Sequence, residues 1–303
     1  MSSISVLGIF VADFVFFGNE IPTTGKSILG SNYKIGPGGK GSNQVITIAK
    51  LGGNVDFITK IGKDSYGEMA LNLYKETNVK TDSILIDKNH STGVAGIMVD
   101  QYGNNAINIV PGASGKITDQ DIHSNLETIK NSKVFLTQLE IPHDVTINAL
   151  KLAKENNCIT ILNPAPAREI AESDFKLIDY FTPNETEVEY YLNQKLDSDE
   201  DIKNAASKFL DKGVKNIIIT LGEKGAYFAN NEQSFFIKSH NLKEKVIDTT
   251  GAGDVFNGAL AFSLANDTNI KDAIMFANKV AGISTTRLGA ANSVPTLNEV
   301  VSY

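Results

Sequence analysis

The chain of 303 residues has one cysteine, Cys158, and no tryptophan. A lone thiol cannot close an intrachain disulfide, so a disulfide-stapled scaffold is excluded and a reducing compartment fits. Its four histidines, His90, His123, His143 and His240, are scattered, and no His/Cys spacing of a zinc site occurs. No apolar run reaches bilayer-spanning length, and the opening MSSISVLGIF lacks a cationic leader region, so a cytoplasmic protein is expected. Basic runs are missing as well. With 28 Lys+Arg against 35 Asp+Glu the formal net charge is -7, the wrong sign for nucleic acid or an anionic membrane surface. An anionic ligand therefore has to be held by local devices: helix N-termini, backbone N–H groups or a bound Mg²⁺.

What the chain does contain is a 42% hydrophobic fraction, enough for a large core. Short β-type runs at Ser5–Phe10, Asp56–Ile61, Lys133–Leu139, Cys158–Leu162, Asp179–Thr182 and Asn216–Leu221 alternate with helical-period stretches at Asn43–Leu51, Tyr66–Glu76, His143–Glu155 and Asp201–Leu210. Alternation of this kind predicts an α/β fold, a doubly wound, mostly parallel sheet with helices on both faces. Two stretches break the pattern. Residues 13–35 are extended where a crossover helix is expected, and Gly93–Asp100 and Asn105–Val110 read as strands joined by a turn at Gln101–Asn104. Together, 13–35 and 92–110 are expected to form a small β-sheet lid on a single domain spanning 1–303, over a site at the strand C-termini.

Three glycine-rich segments compete as phosphate loops. Thr24-Gly25-Lys26-Ser27 ends like a Walker A loop but has Glu20 where the first glycine belongs, so the motif fails. Gly36-Pro37-Gly38-Gly39-Lys40-Gly41 satisfies G-x-G-x-x-G literally. However, the first strand lies far upstream and Asp56 opens its strand instead of closing it, which argues against a dinucleotide site. It still permits close backbone approach to a ligand, with Asn43 in the helix behind it; the competing reading is a tight loop. The third, Asp248-Thr249-Thr250-Gly251-Ala252-Gly253-Asp254, runs into an apolar helix. There the amides of Gly251, Ala252 and Gly253 and the helix N-terminus favour an anion, and Asp254 is placed to take a proton from an alcohol. Ordinary helix capping is the alternative.

GPGGKGSN and DTTGAGDVFNGA resemble the two signatures of the ribokinase (PfkB-type) carbohydrate kinase family. Asn163-Pro164-Ala165-Pro166-Ala167-Arg168, Thr182-Pro183-Asn184-Glu185-Thr186-Glu187 and Thr220-Leu221-Gly222 stand between them in the family's order. The resemblance spans essentially the whole chain. It implies an ATP-dependent sugar kinase with Asp254 as base and Gly251, Ala252 and Gly253 as anion hole. Asp13, Gly39, Asn43 and Glu140 would hold sugar hydroxyls; Asn184, Thr220, Gly222, Gly253 and Asn278 would hold ATP. Glu187 would meet Mg²⁺ through water, although Asn184-x-x-Glu187 is also a capping box. Lys40 reads either as a phosphate ligand or as a solvated lysine. A monovalent cation, K⁺, would be held by Asp248, Thr250, Ser284, Arg287, Gly289 and Ser293, several through backbone carbonyls. The resemblance also implies a homodimer through the lid.

One departure bears on the substrate. Ribose-handling members usually carry Asn where this chain has Val11, in Val11-Ala12-Asp13, and losing that amide forfeits about 0.5–1.5 kcal/mol of sugar hydrogen bonding. Free ribose is the expected substrate, with fructose, another ketose or a deoxysugar as alternatives. No Arg/Lys cluster for a sugar phosphate is visible. A nucleoside kinase of the same fold would use Ile97, Val99, Ile107 and Ile109 as a wall for a base. A sensor without catalysis would have no use for Asp254, and a nicotinamide dehydrogenase rests on GPGGKG alone.

Overall fold

Apolar residues run almost unbroken along the central strands because both faces of their sheet are covered. The computed structural model describes residues 3–303. Its strands are β1 (Ser3–Leu7), β2 (Val11–Phe17), β3 (Asn32–Gly38), β4 (Asn54–Gly62), β5 (Ile84–Asp87), β6 (Thr92–Val99), β7 (Asn105–Gly112), β8 (Ser132–Thr137), β9 (Ile159–Leu162), β10 (Tyr180–Phe181), β11 (Asn216–Thr220), β12 (Ala226–Ala229) and β13 (Ser234–Ile237). Its helices are α1 (Lys40–Lys50), α2 (Ser65–Thr77), α3 (Asp119–Ser124), α4 (Leu126–Lys130), α5 (His143–Glu155), α6 (Glu185–Leu192), α7 (Asp199–Asp211), α8 (Ala252–Ala265), α9 (Ile270–Ser284) and α10 (Leu297–Ser302). No described helix is long and apolar enough to cross a membrane.

Nine strands form the main sheet in the order β13-β12-β11-β10-β9-β8-β1-β4-β5, parallel except for an antiparallel edge at β12 and β13. Strand period decides which core each residue enters. Ile4 and Val6 of β1, Leu136 of β8 and Phe228 of β12 point into one core with α1, α8 and α9; Leu7, Phe135 and Tyr227 point into the other with α5 and α7. From β1 the chain winds outward to β4 and β5, then returns to β8 and winds the other way. The reversal leaves a crevice at the carboxyl ends of β1 and β8, where open α/β sheets bind ligands.

The second sheet has four strands, β3-β2-β6-β7, with β2 and β6 parallel and the outer pairs antiparallel. Its strands are the extended segments expected outside the main sheet, with β2, β3 and β7 reaching slightly beyond the anticipated limits. The first strand differs more. It ends at Leu7, not Phe10, because Gly8 passes so close to Gly41 that a Cβ at 8 would lie 2.9 Å from Gly41 Cα; the chain turns there toward the small sheet. The Thr24-Gly25-Lys26-Ser27 segment is an exposed turn whose Lys26 pairs with Glu20 at 2.6 Å.

Candidate active site

Two helices aim their N-termini at the crevice. α8 is capped by Gly251, whose φ of 74° is left-handed and where a Cβ would lie 2.7 Å from Ala290 Cβ, so this cap needs glycine. In the first turn, Ala252 N–H donates to Thr249 O at 3.2 Å and Val255 N–H to Gly251 O at 2.9 Å, while the amides of Gly253 and Asp254 have no backbone acceptor. Uncommitted donors at a helix start attract anions. Of the three amides expected to form the hole, that of Ala252 is therefore engaged in the turn.

α1 begins at Lys40, three residues before the helix read from the sequence, with Gly39 at φ 94° as its cap. Lys40 N–H donates to Glu140 Oε2 at 2.9 Å. α1 and α8 cross closely because Gly258 has no side chain: a Cβ there would sit 2.7 Å from Thr47 Cβ. That contact brings Asn43 Nδ2 to 2.9 Å from Asp254 Oδ2, both residues being buried. Asp13 stands on β2 against Gly38, where any Cβ would overlap the Asp13 carboxylate.

The cleft is acidic, and its carboxyls Asp254, Glu140 and Glu187 are buried. Burial, above all, raises the Asp254 pKa, while Lys40 and the Asn43 and Gln44 amides pull it down. Burial pushes Glu140 up to about 7 against the pull of Lys40, and Asp13 to about 6 with Asp254 adding to the effect. Glu187 rises to about 6, again by burial. Lys40 shifts upward, chiefly through Asp254. One lysine thus sits among several carboxyls whose ionisation is disfavoured.

An open cleft of about 180 Å³ is lined by Lys40, Asp254, Gly251, Ala252, Gly253, Asn184, Glu187 and Thr220, together with Thr182 and Asn257. Thr182 Oγ1 donates to Asn257 Oδ1 at 2.6 Å, and Asn257 Nδ2 to Gly253 O at 2.9 Å, tying the end of the main sheet to the start of α8. Asn184 and Glu187 form a reciprocal capping box on α6, with both bonds at 2.8 Å. Asn43 touches the same carboxylate and donates its own N–H to Gly39 O at 2.9 Å, while Asp13 and Glu140 stand close enough for Asp254 to raise their pKa values. Gly222 and Asn278 do not line this cleft: Gly222 is an exposed turn residue after β11, and Asn278 on α9 has its Nδ2 3.4 Å from Lys238 O. Asp248 accepts from Thr250 N–H and Gly289 N–H, both at 2.9 Å. The Ser284 and Ser293 hydroxyls donate to Ala281 O and Ala290 O, both at 2.7 Å, and Arg287 pairs with Glu299 at 2.8 Å. Sequence reasoning misses Gln44, Thr182 and Asn257 as site residues. The signal for Gln44 is a polar residue on the buried side of α1, directly before Val45 and Ile46.

Residues 1–297 match the profile of the pfkB family carbohydrate kinases. The chain is 36% identical over 301 residues to a ribokinase of Haemophilus influenzae, covering 99% of this chain and 98% of that protein. It is 32% identical over 301 residues to a deoxyribokinase of Salmonella typhimurium, with coverage of 99% and 98%. The structure of Arabidopsis thaliana ribokinase complexed with ribose and ATP superposes with a TM-score of 0.92 at 29% identity, over 100% of this chain and 98% of that one.

Proposed function

Because the chain belongs to the pfkB family of carbohydrate kinases, phosphotransferases acting on a sugar hydroxyl, we propose that it moves the γ-phosphoryl group of ATP onto the primary hydroxyl of free ribose in its furanose form. The observation that carries this reading is the Asp254 carboxylate, buried at the start of α8, held by Asn43 at 2.9 Å and adjoining uncommitted helix amides. Asp254 accepts the hydroxyl proton as the oxygen attacks phosphorus. Its raised pKa makes it a better base than a solvated carboxylate. The Gly253 and Asp254 amides and the α8 N-terminus face the negative charge spread over the transferring group, and Gly251 shapes the turn that presents them. Asp13, Gly39, Asn43 and Glu140 orient the sugar; Asn43 Oδ1 and one oxygen of each carboxylate remain to accept its hydroxyls. Asn184, Thr220, Gly222 and Asn278 hold ATP, and Lys40 contributes charge toward its phosphates.

Two ions fit the donors present. Glu187 keeps Oε2 for the Asn184 amide, leaving Oε1 toward the cleft, which suits a water-bridged Mg²⁺. Mg²⁺ would supply charge neutralisation along the ATP phosphates. Against burial, which raises it, hydrogen bonds from Thr250 and Gly289 bring the Asp248 pKa below the usual carboxylate value, and each oxygen retains a lone pair. With Thr250, Ser284, Arg287, Gly289 and Ser293, mostly through backbone oxygen, this set suits K⁺ and would stiffen the loop behind Gly251.

The small sheet acts as the lid of a single unit spanning 1–303. Ile107 and Ile109 are 54% and 40% exposed on the face of it that carries Asp13, and Tyr33 and Val110 are 63% and 53% exposed on the other, apolar surface of the kind that marks an interaction site. A homodimer through this sheet covers it. Ile107→Glu is expected to give a monomer at concentrations where the parent protein sediments as a dimer; a parent protein that sediments as a monomer ends the dimer reading.

For the sugar, the relatives named as ribokinases support ribose. Val11, 1% exposed and on the same strand face as Asp13, supports 2-deoxyribose as the second reading. The test is ADP release with ribose, 2-deoxyribose, fructose and adenosine, with and without K⁺. Ribose is expected to give the highest kcat/KM and K⁺ to raise it; absence of sugar-dependent ADP release rejects the kinase reading. In the same assay Val11→Asn should favour ribose over 2-deoxyribose by about 2- to 12-fold, the worth of one hydrogen bond.

A further inference from the structure

Below the cleft floor three amide side chains are joined in series. Gln138, just past β8, is 1% exposed, and Gln44 on α1 is fully buried. Gln138 Nε2 donates to Gln44 Oε1. Gln44 Nε2 in turn donates to Asn163 Oδ1, past the end of β9, at 3.3 Å. Gln44 directly follows Asn43, whose amide holds Asp254 at 2.9 Å. The series is built into the backbone. Gly8 at the end of β1 leaves room for Gln138, since any Cβ at 8 would overlap Gln138 Oε1. That oxygen has no hydrogen-bond partner among the described residues, so the Gln138 side chain is placed for its donor end.

A primary amide presents two donors at one end and an acceptor at the other, and its neighbours decide which way it turns. We propose that Gln138 is a positioning residue for phosphoryl transfer: by donating to Gln44 Oε1 it keeps the amino end of Gln44, and not its carbonyl, turned toward the cleft that Asn163 and the base Asp254 both line. The inference rests on the reading of Asp254 as that base. Were Gln44 to reverse, its carbonyl dipole would face the carboxylate and disfavour the ionised form. Consistent with this, Gln44 is among the groups that draw the Asp254 pKa down against burial. The charged and titratable groups around Asp254 are Lys40 on α1, Asp13 on β2, Glu140 after β8 and Glu187 on α6. None of them touches Gln138 through a described hydrogen bond, so a neutral change at 138 isolates the effect of the amide series.

Two neutral variants test it. Gln138→Met has the same length and no donor; Gln138→Asn keeps an amide but falls one methylene short of Gln44. In either, kcat should fall about tenfold with the sugar KM changed less than about twofold, the loss of one buried hydrogen bond acting on the transition state. The acidic limb of the kcat–pH profile should move up by about half a unit to one unit. A merely structural role predicts a lower Tm with that limb unmoved, and this outcome in whichever variant folds overturns the proposal. Asp254→Asn is assayed alongside. If it retains near parental kcat, the base assignment itself fails; if it is inactive while both Gln138 variants keep the parental pH limb, only the positioning role falls.

Discussion

Replacing Asp254 by Asn is expected to lower kcat by at least about 10²-fold, the lower range for losing a general base, with sugar KM changed only a few-fold, as read by coupled ADP release. The substitution is close to isosteric. The carbonyl oxygen of the introduced amide would still accept from Asn43 Nδ2, which now lies 2.9 Å from the carboxylate, so the hydrogen bond that fixes the side chain survives. The helix start, with its free amides and left-handed Gly251, is untouched. Only basicity is removed. The same change should not destabilise the fold. Burial raises the Asp254 pKa, so the folded state disfavours the ionised form relative to the unfolded chain, and stability falls as pH rises through that shifted pKa. A neutral amide removes this penalty. A Tm at or above that of the parent together with collapsed kcat separates chemistry from folding. A variant with near parental turnover would take Asp254 out of the mechanism and leave the free α8 amides as a binding device alone.

Local periodicity and the glycine motifs make much of this architecture legible in the chain itself. His143–Glu155 reads to the residue because its apolar spacing is regular and Pro142 precedes it. The pattern begins α1 three residues late because Gly39-Lys40-Gly41 has poor helix propensity; tertiary contact at Glu140 holds that first turn. The β12–β13 edge pair escapes the pattern because it is an antiparallel hairpin with no helix between its strands, outside the strand–helix alternation. In the site, Asp254 and the Gly251–Gly253 segment are visible as a small-residue run opening an apolar helix. The pairing of Gln44 with Gln138 is not. The two lie 94 positions apart, and single-chain periodicity carries no information about which strands become neighbours across a topological switch. Nor can spacing reveal that Ala252 N–H is occupied by Thr249, since that depends on the turn the loop takes before the helix.

Glu140→Gln is expected to stabilise the protein at pH 8 while weakening its hold on sugar, the trade characteristic of a residue kept for function. Glu140 is 6% exposed, and burial lifts its pKa to about 7 from 4.5 even with Lys40 pulling it down. Between about pH 4.5 and 7 the folded protein therefore binds more protons here than the unfolded chain does, and stability declines as pH rises through the window. Above it, the ionised carboxylate costs about 1–3 kcal/mol, discounted for its coupling to Lys40 and Asp254. Gln removes the charge yet can still accept from Lys40 N–H, which Glu140 Oε2 now does at 2.9 Å. Thermal melts should show the variant ahead by about 2–6 °C at pH 8, with the two proteins converging as pH falls toward about 5. Sugar KM should rise about 10- to 100-fold, the worth of a hydrogen bond to a charged group. A lower Tm for the variant at pH 8 would mean that attraction to Lys40 outweighs desolvation. Glu140 would then belong to the scaffold of the α1 N-terminus, and an unchanged sugar KM beside that result would remove it from the binding site.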